Sequence, residues 1–177
     1  MKIFFSPKTQ NHSPKTFISR GHVIESPERA ERADILRTAA KNAGHTITEI
    51  FSEHHHSALD IHDEAYISFL KNGWQQWSIL DGSSKEIIPN VHPGRNMNAN
   101  PSAIVSAAGY YQADTACPIG EKTWEGAKAS ADTVIAAASN LLDRHKNNEY
   151  ENFVYSLCRP PGHHAYADQA GGFCFLN

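Results

Sequence analysis

The strongest constraint on this chain lies near its C-terminal end, where the apolar run Phe153-Val-Tyr-Ser-Leu-Cys158 leads directly into Arg159-Pro160-Pro161-Gly162-His163-His164. A short run of apolar, aromatic and β-branched residues bounded by prolines reads as a fully buried strand. In α/β folds the loop after the C-terminal end of a parallel strand is where sites are built. Two prolines and a glycine fix this loop, so the imidazoles at its end have little conformational entropy left to lose. A rigid imidazole pair suits general acid–base work, because imidazole titrates near neutral pH unaided. An isolated His-His pair is most often a surface turn; the buried strand before it and the stiff loop favour chemistry.

The rest of the chain supplies a frame for that strand. Lys2-Ile-Phe-Phe, stopped by Ser6-Pro7, predicts a first buried strand, and the polar residues 6–25 predict a loop. Ser26-Pro27-Glu28 predicts a helix start, with Ser26 as N-cap and an acid in the first turn, and Gly44 predicts its stop. Residues 46–51 alternate β-branched and polar side chains and predict a second strand, so strand, helix and strand open a parallel α/β sheet. A second helix fits residues 63–77. A third fits 123–143, with Ala127, Ala131, Val134, Ala138 and Leu141 as a narrow stripe. Between them, about 78–121 is rich in Gly, Pro, Asn and Ser and is expected to be an active-site or interface insertion. Neither repeats nor a dividing linker interrupt the chain, which predicts one domain over residues 1–177.

Composition narrows the function classes. The 177 residues carry 16 Lys+Arg against 19 Asp+Glu, a net charge of −3, which excludes a polybasic nucleic-acid binder. No stretch of about 18 apolar residues suggests a membrane span. The apolar run at the N-terminus is too short for a signal-peptide core, so the expected location is cytoplasmic. Cys117, Cys158 and Cys174 lack both an even count and paired zinc spacing, in keeping with a reducing compartment. The run His54-His55-His56 points three ways on any regular element and reads as a solvated turn; a metal-binding or assembly module built on it with His62 is the non-enzymatic alternative. A thiol hydrolase using Cys158 or Cys174 with the histidine pair is another, although both cysteines sit in apolar surroundings that disfavour a thiolate. Tyr66, Phe69, Trp74 and Trp77 read as core or interface, and Arg159 as bonded to its own loop or to a buried acid.

Arg159-Pro-Pro-Gly-His-His-Ala165 followed by Gly171-Gly-Phe-Cys-Phe-Leu-Asn177 resembles the signature of the zinc-dependent histone deacetylase superfamily, and within it the bacterial acetylpolyamine amidohydrolases. Pro27-Glu28 with Arg32, the stretch Ile61-His-Asp-Glu-Ala-Tyr66, and Gly109-Tyr-Tyr-Gln-Ala-Asp114 with Thr123-Trp-Glu125 carry the same resemblance. It implies an arginase/deacetylase-type α/β fold, a parallel sheet flanked by helices, present here only as its N-terminal portion, since the family domain is roughly twice this length. The implied reaction is hydrolysis of an acetylated amine, either a small acetylpolyamine or acetyl-lysine. By the same resemblance His164 is the general base, His163 its electrostatic partner, Gly172 and Phe173 line the substrate tunnel, and Asp114 is the rim acid that holds the substrate's polar part. The implied zinc has no ligand in these residues: the family's Asp-x-Asp-x-His segment and later ligands lie past Asn177. The chain alone is therefore expected to be inactive, and a homodimer or a complementing C-terminal half is expected as partner. Residues 101–109, Pro-Ser-Ala-Ile-Val-Ser-Ala-Ala-Gly, carry no acid where polyamine-specific members do, which weakens the polyamine choice and leaves the deacetylase one intact.

Overall fold

The computed structural model describes residues 1–51, 58–93, 101–147 and 153–177. In chain order these form strands β1 (Lys2–Phe5), β2 (Thr16–Ser19) and β3 (His22–Glu25), helix α1 (Glu31–Asn42) and strand β4 (Thr46–Glu49). Helices α2 (Glu64–Ser78), α3 (Ile104–Tyr111) and α4 (Thr123–Lys146) follow, and strand β5 (Tyr155–Ser156) comes last. The His54-His55-His56 run lies outside the described residues, as does part of the 78–121 segment.

The three expected strands form one parallel sheet in the order β4-β1-β5, with Ile3 opposite both Ile47 and Tyr155. Alternation along β1 sorts its side chains between two layers. Ile3 and Phe5 pack with Ala33 and Leu157, against the α1 side, while Phe4 packs with Ala136 and Ala137 of α4. Helices thus cover both faces, which is what lets β1 be apolar at every central position. The main core lies beyond the sheet, where Tyr66, Phe69, Leu70 and Trp77 of α2 meet Ile87, Ile119, Ala127, Phe175 and Leu176. No helix among the described residues is long and apolar enough to cross a membrane.

Several expectations shift. Residues 16–25, expected as loop, form the antiparallel hairpin β2–β3, turning at Arg20 (φ 52°) and Gly21 (φ 80°). Two positive φ values in a two-residue loop are the hairpin turn whose twist matches its strands. Ser26 does not cap a helix: its Oγ accepts from the Glu28 N–H at 3.2 Å, and α1 starts at Glu31 behind Ala30. Glu28 is drawn instead into a buried ion pair with Arg159, 131 residues away. The buried residues of α4 are Thr123, Gly126, Ala127, Ala129, Ser130, Asp132, Thr133, Ala136 and Ala137, while Val134, expected inside, is 49% exposed. The strand predicted over 153–158 pairs only at Tyr155 and Ser156, and among the described residues β5 is an edge strand with Tyr155 exposed. The 78–121 segment holds α3 and contributes Ile87, Ala108, Cys117 and Ile119 to the main core.

Candidate active site

The loop after β5 is fixed at its first residue. Arg159 is buried, and its Nε donates to Glu28 Oε1 at 2.6 Å. The rest of the guanidinium donates to the Thr9 carbonyl at 2.9 Å and the Glu28 carbonyl at 3.4 Å. Glu28 uses its other oxygen for Arg32 at 3.2 Å. A planar guanidinium can satisfy several acceptors in one fork, which suits a buried anchor. One residue on, the Pro160 carbonyl accepts from Ser130 Oγ of α4 at 2.8 Å. Gly162 then passes so close to the Leu176 carbonyl that any side chain would collide with it.

That anchoring delivers His163 and His164 with ring centroids 4.3 Å apart and planes inclined by 50°. Both residues are exposed on the described surface. His163 borders an open, mostly apolar cavity of about 520 Å³ that Cys158, Val134, Ile135, Leu176 and Asn177 also line. His164 leans on a second fixed element. Gly171 and Cys174 exchange two backbone hydrogen bonds, 3.1 and 2.8 Å, closing a tight turn with Gly172 (φ 53°) and Phe173 (φ 69°) at its corners. A Cβ on Gly172 would stand 2.7 Å from the His164 ring, so only glycine allows the ring to rest there. A bulky residue at positive φ costs about 1–3 kcal/mol and persists only where neighbours over-determine it.

The neighbours here are Asp114 and the hairpin. Asp114 Oδ2 accepts the Gly172 N–H at 2.9 Å and Oδ1 the Ala116 N–H at 2.8 Å. Thr115 Oγ1 donates to the Ile18 carbonyl at 2.8 Å, tying β2 to the same strip. Phe17 of β2 then meets Phe173 edge to face, centroids 5.6 Å apart. The structure therefore brings His164, Gly172, Asp114 and Phe173 into one connected group, with His163 beside His164. Asp114 has a structural task that the sequence did not reveal. Phe17 was missed there, although Thr16-Phe-Ile-Ser and His22-Val-Ile-Glu around Arg20-Gly21 form a hairpin pattern.

Among the described residues no group of three or more His, Cys, Asp or Glu side chains converges as a metal site. Asp114, which holds the turn under His164, has one backbone N–H on each of its oxygens. The residues described do not by themselves fit a zinc ion. The thiols are poor nucleophiles. Burial pushes Cys158 up to about 11, and burial also raises Cys174 and, aided by Asp114, Cys117. Of the two partners expected for Arg159, the structure gives the buried acid, Glu28; the main-chain carbonyls it reaches are those of Thr9 and Glu28, not of its own loop.

Residues 23–177 match the sequence profile of the histone deacetylase domain. The chain belongs to the histone deacetylase family. An acetylpolyamine amidohydrolase of Burkholderia pseudomallei is 36% identical over 178 residues, covering all of this chain and 50% of that relative. Acetylpolyamine amidohydrolase 1 of Pseudomonas aeruginosa is 34% identical over 158 residues, 87% of this chain and 43% of the relative. The crystal structure of the Burkholderia pseudomallei acetylpolyamine aminohydrolase superposes with a TM-score of 0.87 over the whole chain and 50% of its own length. The HD domain of HDA15, at 17% identity and a TM-score of 0.64, shares the fold. The chain spans about half the length of the curated relatives it matches. The deacetylase-type parallel sheet flanked by helices is thus this chain's fold, in its N-terminal portion.

Proposed function

We propose that these residues are the N-terminal half of a zinc-dependent amidohydrolase that removes the acetyl group from an acetylated amine, with a small acetylpolyamine as the first candidate. The observation that carries the reading is the imidazole pair at 4.3 Å, anchored by Arg159 on one side and seated on Gly172 on the other. In the proposed reaction water adds to the acetamide carbonyl and gives its proton to His164. The C–N bond then breaks and a proton passes from the pair to the leaving amine, yielding acetate and free amine. His163, with its ring centroid 4.3 Å away, is the electrostatic partner of His164 near the leaving amine. Phe173 walls the substrate's aliphatic stem. Asp114, with about half of its acceptor directions committed to the backbone, retains capacity for a substrate N–H at the rim.

The metal ligands come, in this reading, from outside these residues, and the 177-residue chain alone is inactive. The complement is a second half of the domain seated on the open edge of β5 and the adjoining apolar cavity. Support comes from the exposed Phe153 and Tyr155 at and beside β5 and from the exposed Val134 lining the cavity, since exposed apolar surface of this kind marks interaction sites. Homodimerisation of the completed enzyme and a cytoplasmic location belong to the same proposal. The test joins or mixes this chain with the second half of a relative and follows hydrolysis of acetylpolyamine and acetyl-lysine substrates. Chelator-sensitive turnover is expected only in the complemented protein, and His164→Ala should lower it about 10²–10⁴-fold. Turnover by the isolated chain, or full activity of His164→Ala, would refute the reading.

A further inference from the structure

His62 is buried and uses both ring nitrogens on different parts of the site. Its Nδ1 lies 2.9 Å from the Tyr166 carbonyl, two residues past the histidine pair. Its Nε2 lies 3.0 Å from the backbone nitrogen of Asn177. A carbonyl can only accept and a backbone N–H can only donate, so the two contacts together dictate a single protonation state. Nδ1 must carry a hydrogen and Nε2 must not.

We infer that His62 is a positioning residue, a neutral imidazole with its proton on Nδ1, that bolts the start of the loop after His164 to the segment ending at Asn177. Its bearing on catalysis rests on the deacetylase reading above; its chemistry does not. The neighbouring contacts follow the same plan. The Asp63 N–H donates to the Ala167 carbonyl at 2.9 Å, and Tyr66 Oη, one turn along α2, donates to the Phe175 carbonyl at 2.7 Å. Asn177 Nδ2 reaches the Ala165 carbonyl at 3.3 Å. The excursion between Tyr166 and Asn177, which carries Gly172 and Phe173, is therefore closed at its base by His62 and Asp63, just ahead of α2, and by Tyr66 in its first turn. Both the seat under His164 and the path of the backbone at Asn177 are set from His62. This use leaves neither nitrogen free for a metal, so the alternative module of His62 with the His54–His56 run loses this member.

The test reads the full chain directly. Long-range ¹⁵N–¹H spectra of the wild type should show one His62 nitrogen of the pyrrole type at Nδ1 and one of the pyridine type at Nε2. The opposite assignment, or an average of both, would overturn the inference without any variant. Three substitutions separate the ties, because an Asn amide overlays Nδ1 and a Gln amide overlays Nε2. The Asn177 amide should exchange about fivefold faster in His62→Phe and His62→Asn, the loss of one net hydrogen bond, and at the wild-type rate in His62→Gln. The ring resonances of His163 and His164 should move in His62→Phe, although phenylalanine fills the same space. Equal exchange in all three variants would show that His62 merely packs. If these results hold while the complemented protein fails to hydrolyse acetylated amines, the deacetylase reading falls and the positioning role stands.

Discussion

His12 offers a quantitative test of how the site's underlay is built. It is buried beneath the loop, its Nδ1 3.1 Å from Thr123 Oγ1 and its ring edge to face with Phe175 at 5.2 Å. Burial, with the Arg159 guanidinium adding to it, holds the imidazole down at about 3 against an ordinary 6.5. The unfolded chain takes up a proton below pH 6.5, whereas the folded chain resists until about pH 3. Across that window the unfolded state binds more protons, so stability falls as pH falls. The full gap corresponds to about 5 kcal/mol, and between pH 7 and pH 5 the loss is about 2 kcal/mol. That is a large part of the roughly 5–15 kcal/mol that holds a domain folded. Urea titrations at the two pH values measure it directly. His12→Asn keeps a polar group at the Nδ1 position for Thr123 and removes the ionisation. The variant loses packing at every pH, but its stability should change about 2 kcal/mol less between pH 7 and pH 5 than the wild type's. Identical pH dependence in the two proteins would refute the claim that His12 is held neutral by the fold.

Further predictions address the clamp, the seat and the thiols. Arg159→Met should cost about 3–5 kcal/mol by stranding the Glu28 carboxylate, and adding Glu28→Gln should return part of it; a cost below about 1 kcal/mol in chemical denaturation would mean that the pair does not anchor the loop. Gly172→Ala should lower stability by about 1–2 kcal/mol and shift the His164 ring resonances, because it combines a positive φ with a Cβ against the ring. Unchanged His164 signals in that variant would show that the turn does not seat the imidazole. Cys158, held at about 11 against 9.0, should react with iodoacetamide at neutral pH about a hundredfold more slowly than an unperturbed thiol. Rapid labelling followed by mass spectrometry would reopen the thiol-hydrolase alternative.

The legible parts of the sequence are those where a local pattern and the tertiary demand agree. β1 alternates Ile3 and Phe5 against Phe4, and the structure places those side chains in two different layers, so strand and parallel sheet could both be read. Asp63 and the apolar positions of α2 marked that helix to within a residue. Ser26-Pro27-Glu28 misled because the pattern of a helix start is local, while the fate of Glu28 is decided by Arg159, 131 residues away. The hairpin was hidden because Pro14, Ser13 and Asn11 before it and Ser26-Pro27 after it suggest loop, and because β3 is exposed along its whole length and leaves no hydrophobic alternation to notice. At the site, the motif residues were identified from sequence by resemblance. Their supports were not: His12, Phe17 and His62 act through partners more than 100 residues distant, and no local spacing encodes such pairs. Val134 and Tyr155 were expected inside because their residue types belong inside; among the described residues both are exposed, Tyr155 on the edge strand and Val134 on α4 at the cavity.

The pairing of β1 with β5 also sets a schedule for synthesis. Lys2 finds Thr46 of β4 as soon as the first strand-helix-strand unit is made, but Phe4 faces Ser156, about 150 residues later in the chain. At ribosomal speeds of about 5–20 residues per second, that delay is roughly 8–30 s. Throughout it one margin of β1, carrying Ile3, Phe4 and Phe5, has its backbone donors and acceptors open to any passing strand. A nascent chain of this topology therefore has good reason to meet a chaperone at β1, well before the loop that bears the imidazoles exists.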